Sequence, residues 1–221
     1  NFRTALSKGF FDLQRDLKWY LKRCLNSPNK EVISEFIKIQ TLILAPFTPH
    51  ICEEIWEKLG FEPFISNTSW PEYREEVIDK ISEESEGYIE EVVNDIREIV
   101  SVLSRGEEKE IDGINIFTAE NWKWELIELI KTKENMGEAI KTAMSNEDFR
   151  KNGKDVNLII QRCFKNRYFP DRIDEKEVLK ESKEFLNAEF NTNIQIDPTE
   201  DPENDRKRAL PRKPGIHIYF K

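Results

Sequence analysis

Basic side chains interleaved with aromatic rings are the residues of this chain best suited to bind a ligand. Helical stepping of about 100° per residue gathers Lys8, Arg15, Lys18 and Lys22 on one side of the first helical pattern, with Trp19 nearby. Two more basic clusters comprise Arg150, Lys151, Lys154, Arg162, Lys165 and Arg167 with Tyr168, and Arg206, Lys207, Arg208, Arg212 and Lys213. Such cations bind phosphate oxygens, and aromatic rings stack on unpaired bases. These residues are therefore candidates for contact with RNA.

The same residues also have a simpler explanation. Strips of charge are usually solvated surfaces, and Trp19 could pack on a neighbouring helix instead of on a base. A cation near the end of a helix, such as Lys165, also complements the helix dipole. The sequence leaves both explanations open.

Residues for catalysis are not apparent in this sequence. The two histidines, His50 and His217, and the three cysteines are not spaced as a set of metal ligands. No glycine-rich phosphate loop and no Gly-x-Ser-x-Gly elbow is present. Adjacent acids such as Glu53 and Glu54 diverge by about 100° on a helix and do not face each other. We therefore predict no catalytic, cofactor-binding or metal-binding residue in the chain.

The negative charge of the chain is concentrated in one segment. The net charge is −9, and residues 72–110, with fourteen acidic and five basic residues, account for all of it. Residues 141–172 carry eight basic and four acidic residues, and residues 203–214 carry five and two. The acidic segment would repel phosphates, so we expect its outer face to point away from any RNA.

The first domain is predicted to be a helical bundle over residues 1–106. Apolar spacing predicts a buried helix over residues 30–44, and Pro46 ends it. Thr48 is typical of an N-cap before a first-turn proline, and Gly60 of the residue just past a helix end. In that helix Ile51, Ile55 and Leu59 form the expected apolar stripe, with Cys52 and Trp56 beside it. The first helix should bury the stripe of Phe2, Leu6, Phe10, Leu13, Leu17, Leu21 and Cys24.

The second domain is predicted to be a small α+β domain over residues 107–221. A long helix capped by Ser82 or Ser85 precedes it and ends near residues 105–106. Residues 111–117, 193–197 and 215–220 are typical of three strands, and Thr118 of a cap on a helix rich in tryptophan. An Asp174-x-x-Glu177 capping box opens another helix. The fold class is therefore mainly α, a helical bundle followed by a domain with about three strands, and residues 197–214 form a charged, flexible loop.

Several segments resemble one known family. They are residues 42–59 followed by Phe64-Ile65-Ser66 and Ser69-Trp70-Pro71, the pair Pro49-His50, residues 1–6 and 17–21, and residues 116–124. They are similar to the anticodon-binding helical bundle of class I aminoacyl-tRNA synthetases, and most similar to the archaeal and eukaryotic type of leucyl-tRNA synthetase. The resemblance covers roughly the first 125 residues and is weak beyond them.

The resemblance implies a role in tRNA binding. This region of the family would dock leucine tRNA by its elbow and long variable arm, so that the 3′ end reaches a separate catalytic domain. The His-x-Gly-His and Lys-Met-Ser-Lys-Ser signatures, with which the family binds ATP, are absent here. The resemblance thus implies that ATP and Mg²⁺ bind elsewhere in the parent ligase, and that this chain alone is inactive. His50, Glu53 and Trp56 are expected to be architectural.

Alternatives and further expectations remain. The chain could be the equivalent region of an isoleucyl-, valyl- or methionyl-tRNA synthetase that reads the anticodon. It could also be a protein-interaction scaffold that docks partners on residues 122–130 and on the acidic helix. No apolar run is long enough to span a membrane, and the cysteines are expected to be reduced in the cytoplasm. Because the chain starts within an amphipathic pattern, we expect a missing first helix and an exposed apolar face that could drive dimerisation.

Overall fold

The computed structural model describes residues 1–104 and 109–221. These residues form two compact units, residues 1–78 and residues 79–221. The first unit is helical, and the second combines helices with a three-stranded sheet. The predicted class, a helical bundle followed by a small α+β part, is confirmed.

The first unit is built from short helices joined by tight turns. Its elements are α1 (Phe2–Leu6), a π-helical segment (Ser7–Asp12), α2 (Leu13–Arg23), α3 (Lys30–Leu44), α4 (Pro49–Lys58) and two 3₁₀ turns (Ile65–Asn67 and Glu75–Val77). Helix α3 has the predicted bounds. The side chain of Asn29 caps it by accepting hydrogen bonds from the backbone N–H groups of Glu31 and Val32, at 2.8 and 3.4 Å.

Helix α4 ends in a Schellman motif. Gly60 has a φ of +77° and donates its N–H to the carbonyl of Glu57 at 2.9 Å, as its predicted position past the helix end requires. Phe61 donates to the carbonyl of Trp56 at 3.2 Å, and the two rings pack 4.5 Å apart. At the other end Thr48 holds the N-cap position before Pro49, but its side chain makes no capping bond. Its hydroxyl lies 3.4 Å from the carbonyl of Leu44 instead.

The core of the first unit lies on a different face of α4 from the predicted one. Cys52 and Trp56 are 2% and 3% exposed, whereas Ile51 and Leu59 of the predicted stripe are 60% and 40% exposed. The reason is a polar anchor: Glu53 accepts hydrogen bonds from the backbone of residues 65 and 66, and Trp56 donates its indole N–H to the carbonyl of residue 63 at 3.0 Å. These bonds turn the Cys52–Trp56 side toward the core.

The predicted core face of the first helix is also wrong at its start. Phe2 and Phe10 are 82% and 38% exposed, and Leu13 and Leu17 are only half-buried. The π-helical segment between α1 and α2 changes the phase of the side chains, so uniform stepping does not hold across it. Gly9 in this segment is buried against Ile43. A methyl group on Gly9 would lie only 2.5 Å from Cγ2 of Ile43, so this close approach requires glycine.

The second unit opens with the longest helix of the described residues. Its elements are α5 (Lys80–Ser104), β1 (Ile111–Phe117), α6 (Asn121–Lys131), α7 (Met136–Ser145), α8 (Glu147–Lys151), α9 (Gly153–Asn166), α10 (Glu175–Glu181), α11 (Lys183–Phe190), β2 (Asn193–Ile196), α12 (Asp205–Arg208) and β3 (Gly215–Phe220). All three predicted strands are present.

The first strand is the central one of the sheet. It pairs in parallel with β2, with Gly113 opposite Asn193, and antiparallel with β3, with Ile114 opposite Ile218. Strand alternation sends Ile114 into the core, while Asn115 lies on the other face, where its amide donates to the Tyr219 hydroxyl at 3.2 Å.

A second apolar cluster joins α6, α7, α8 and α9. Its fully or nearly fully buried members are Leu126, Ile127, Ile130, Ala139, Ala143, Phe149, Val156, Ile159, Ile160 and Cys163. The helix rich in tryptophan therefore belongs to the core. Trp124 is 4% exposed, so residues 122–130 do not offer the docking surface that the scaffold alternative requires.

Helix α5 belongs to the second unit. It buries Tyr88, Ile89, Val92, Val93 and Ile96 as predicted. The division between the compact units falls before it, at residues 78–79, and the predicted boundary between residues 106 and 107 lies outside the described residues, as does the helix end predicted at 105–106.

Several predicted caps differ in the structure. Asp79, not Ser82 or Ser85, caps α5 by accepting from the N–H groups of residues 81 and 82. Thr118 caps no helix; its N–H and hydroxyl bind the carboxylate of Asp197 at 2.9 and 2.8 Å. The predicted cap of Asp174 is present, since its carboxylate accepts from the N–H of Glu177 at 3.0 Å.

Candidate nucleic-acid interface

The basic strip of the first unit is partly neutralised by its own acids. Lys8 lies 2.8 Å from the carboxylate of Asp12, and Arg15 lies 3.5 Å from Asp12 and 3.4 Å from Asp16. The hydrogen bond from Lys8 lowers the pKa of Asp12, which keeps that carboxylate ionised. Lys18 is exposed and has no ion pair among the described residues, Lys22 is exposed, and Trp19 is half-buried.

Two members of the first basic cluster serve local structure. Arg150 donates from its guanidinium twice to the carbonyl of Met144, at 3.0 and 3.2 Å. Lys151 lies 3.0 Å from the carboxylate of Asp148. Arg150 is therefore tied to the last turn of α7, and only Lys151 is paired with an acid.

Helix α9 presents a basic stripe to solvent. Its buried residues, centred on Ile159, Ile160 and Cys163, define the core side, and stepping at 100° places Lys154 and Lys165 opposite them. Both lysines are exposed and unpaired among the described residues. We call Lys154, Lys165 and the exposed Arg167 the α9 stripe.

The end of α9 directs Tyr168. Arg167 adopts a left-handed conformation with φ of 50°, and Tyr168 then donates its N–H back to the carbonyl of Cys163 at 3.1 Å. This turn folds Tyr168 toward the last turn of the helix, and the residue is 51% exposed. Burial raises the pKa of the phenol, which therefore stays neutral at physiological pH.

The second basic cluster is not in a flexible loop, contrary to the prediction. Lys123 is fully buried and donates to the carbonyls of Lys207 and Ala209 at 2.7 and 2.6 Å. The buried carboxylate of Glu175 accepts from the N–H groups of Arg212 and Ala119 at 2.8 and 3.0 Å. Burial lowers the pKa of Lys123 and raises that of Glu175. Neither role could be read from the sequence, because both residues lie among many exposed charges of the same type.

The two cations at the end of this loop bind acids of α5. Arg212 is 6% exposed and pairs with Glu84 at 2.7 Å, so it is not an exposed RNA contact. Lys213 pairs with Asp95 at 2.8 Å. These pairs use two acids of the segment 72–110, whose outer face was expected to point away from any RNA.

The rest of this loop divides into bound and free cations. Arg206 donates to the carbonyl of Pro198 at 2.8 Å and lies over the ring of Phe117. Arg208 lies 3.4 Å from Asp205 but is largely exposed. Lys207 is exposed and has no ion pair among the described residues.

One cavity brings the two basic clusters together. It is lined by Arg162 and Tyr168 from one cluster and by Arg212 and Lys213 from the other. The two clusters lie about 45 residues apart in the sequence. Its volume is about 220 Å³. The helix α9 supplies one wall and residues 210–213 another, so the fold, and not the sequence spacing, assembles this site.

Candidate metal sites, membrane-spanning helices and disulfides are absent from the part of the chain that the structure describes. No group of three or more His, Cys, Asp or Glu side chains among residues 1–104 and 109–221 could hold a metal ion. In the same residues, no helix has the length and apolar character needed to cross a membrane. All three cysteines are free thiols, with Cys52 and Cys163 buried and Cys24 half-buried.

A family model described as the anticodon-binding domain of tRNA ligase matches residues 1–114. The chain belongs to this family. The match extends past the first compact unit and includes α5, so the family's segment and the packing units have different limits.

Curated relatives are similar to nearly the whole chain, including the part beyond residue 114. The leucine–tRNA ligase of Pyrococcus furiosus is 39% identical over 220 residues, 98% of this chain and 22% of the relative. That of Methanocaldococcus jannaschii is 38% identical over 212 residues (94% and 21%), and that of Archaeoglobus fulgidus 36% over 217 (98% and 22%). The chain spans about a fifth of the length of these relatives and corresponds to their C-terminal part.

Proposed function

We propose that this chain is the tRNA-docking region of a leucine–tRNA ligase. In this proposal it holds leucine tRNA by the elbow and the long variable arm, and the 3′ end reaches a catalytic domain that carries out ATP-dependent leucylation. Correct placement of a reacting end can supply about 7–11 kcal/mol of barrier reduction. ATP and Mg²⁺ would bind in that other domain, the chain alone would be inactive, and the cytoplasm is the proposed location.

The observation that carries this proposal is the similarity to leucine–tRNA ligases along 98% of the chain, which includes the α+β unit beyond the family match. The charge of the second unit supports it. The α9 stripe and Lys207 offer exposed cations that no acid of the described residues pairs with. Such cations gain affinity for RNA phosphates by releasing counterions.

A binding titration tests the proposal. The chain should bind leucine tRNA with an affinity that falls steeply with salt, and removal of the variable arm should weaken binding far more than changes in the anticodon. A dominant effect of the anticodon would favour a sister synthetase. Absence of binding at low salt would overturn the tRNA-docking function.

Charge reversal tests the α9 stripe. Lys165→Glu together with Arg167→Glu should weaken tRNA binding and lower the slope of log affinity against log salt by about 1 per lost phosphate contact. Lys176→Glu together with Lys180→Glu, at two exposed lysines of α10 that pair with Asp197 and Glu177, makes the same change in net charge and serves as the control. Equal effects of the two changes would remove the stripe from the interface.

Self-association of the chain is also part of the proposal. Phe2, Phe11 and Ile51 of the first unit are 82%, 62% and 60% exposed. Phe11 and Ile51 line an apolar groove of about 500 Å³ together with Leu6, Phe10 and Ile55. Exposed apolar patches of this kind promote association. Light scattering should find a mass above that of a monomer, and Ile51→Glu should reduce it. A clean monomer at high concentration would refute self-association.

A further inference from the structure

The cavity of the second unit has the size of a site for one ring system. It is lined by residues of α5, α6 and α9, by Tyr168 and Pro170, and by residues 210–213. Its volume of about 220 Å³ is several times the about 30 Å³ share of one water molecule, yet below the about 300–1,000 Å³ of pockets that enclose drug-sized ligands. Ile127, Ile159 and Leu210 give it an apolar floor.

Polar groups with unused hydrogen-bonding capacity surround this floor. The guanidinium of Arg162 and the carboxylate of Glu91 make no hydrogen bond or ion pair with the described residues. Arg212 is 6% exposed; one of its nitrogens binds Glu84, and its buried Nε has no partner among the described residues. Arg162 and Glu91 can therefore bind the edge of a ligand in the cavity, and the guanidinium of Arg212 adds positive charge to its wall.

An aromatic ring completes the cavity wall. Tyr168 lines the cavity with about half of its surface exposed, and the turn at Arg167 fixes its backbone. A neutral, half-exposed phenol ring on an apolar floor offers the kind of face on which planar rings stack.

We propose that this cavity receives one unstacked base of a bound RNA. The base stacks against Tyr168, and Arg162 and Glu91 bind its edges beside the buried positive charge of Arg212. Guanine satisfies this set best, because its O6 and N7 accept from a guanidinium while its N1–H and N2–H₂ donate to a carboxylate. The proposal rests on the proposed tRNA-docking function and adds to it a residue-level pocket for base recognition.

The test is a double-mutant cycle between protein and RNA. Full-length leucine tRNAs, each with one abasic nucleotide in an unpaired segment, are titrated against the unmodified chain and against Tyr168→Leu. Loss of one particular base should weaken binding about 5- to 100-fold in the unmodified chain, as expected for one base–aromatic stack. The same abasic site should cause no further loss in Tyr168→Leu.

Two variants make the result specific. At the tRNA position where loss of the base weakens binding, Arg162→Gln should abolish the preference for guanine over adenine. Lys165→Gln should weaken the binding of all the RNAs by one common factor. Thermal melting followed by circular dichroism checks that each variant is folded. If tRNA binds but no abasic site couples to Tyr168 or Arg162, the cavity is not a base pocket and tRNA docking stands. If no tRNA binds at low salt, the docking function itself fails.

Discussion

Lys123 is the side chain whose removal most directly tests how the basic loop is held. It is fully buried in α6 and donates to two backbone carbonyls of the loop, those of Lys207 and Ala209. The change Lys123→Met keeps the length and volume of the side chain and removes only the charged donor. Its effect therefore isolates the hydrogen bonds.

The magnitude follows from the groups left without a partner. Each buried carbonyl that loses its donor costs about 1–3 kcal/mol. Burial lowers the pKa of Lys123, which means that the buried ammonium itself carries a cost that the variant no longer pays. We expect a net loss of about 2–4 kcal/mol in the free energy of unfolding of the second unit, and a fall in its melting temperature of about 5–15 °C.

Circular dichroism during thermal and urea unfolding measures this change. Lys207→Met is the matched control, because its side chain is exposed while its carbonyl still accepts the bond from Lys123. The control should unfold within about 0.5 kcal/mol of the unmodified chain. If Lys123→Met were as stable as Lys207→Met, the loop would be held by other contacts and the argument would fail.

Substitutions at three buried residues, Glu175, Gly9 and Tyr88, give further predictions. Glu175→Gln leaves one of two bound N–H groups without an acceptor oxygen, so urea unfolding should show a loss of about 1–3 kcal/mol. Gly9→Ala forces a methyl group against Ile43 and should lower the free energy of unfolding by about 1–3 kcal/mol in the same assay. Gly60→Ala should lower it less, by about 1 kcal/mol, because nothing lies within 4 Å of the added methyl group and only the left-handed backbone is strained. The hydroxyl of Tyr88 is buried without a partner among the described residues, so Tyr88→Phe should leave stability unchanged or raise it. Because burial raises the pKa of Tyr88 well above 10.0, the unfolded chain loses this proton first and stability falls as pH rises above about 10; a urea series from pH 8 to 11 should show a weaker fall in Tyr88→Phe.

The sequence predicted the elements well because local signals dominate them. Helix α3, the glycine end of α4 and all three strands follow from apolar periodicity and turn residues. The sequence-based prediction was wrong where contacts between distant segments, or a local change of helix type, determine which face of a helix is buried. The anchoring of Glu53 turns Cys52 inward, and the π-helical segment shifts the first helix, and neither leaves a periodic signature.

The candidate site was predictable in composition but not in geometry. Lys154 and Lys165 are exposed because helical stepping places them opposite the core, and Arg167 is exposed just past the end of α9. The burial of Arg212 could not be foreseen, since its partner Glu84 lies 128 residues away. Sequence patterns report neighbours along the chain, and this site depends on neighbours across it.

The central position of β1 has a consequence for how the second unit folds. Its parallel partner β2 begins about 80 residues later in the chain, and its antiparallel partner β3 about 100 residues later. Closing such long loops costs entropy before strand pairing can offset that cost, so this sheet forms slowly compared with the local helices. During synthesis β1 emerges long before either partner exists. The growing chain must therefore hold an unpaired, isoleucine-rich edge until residue 220 is made.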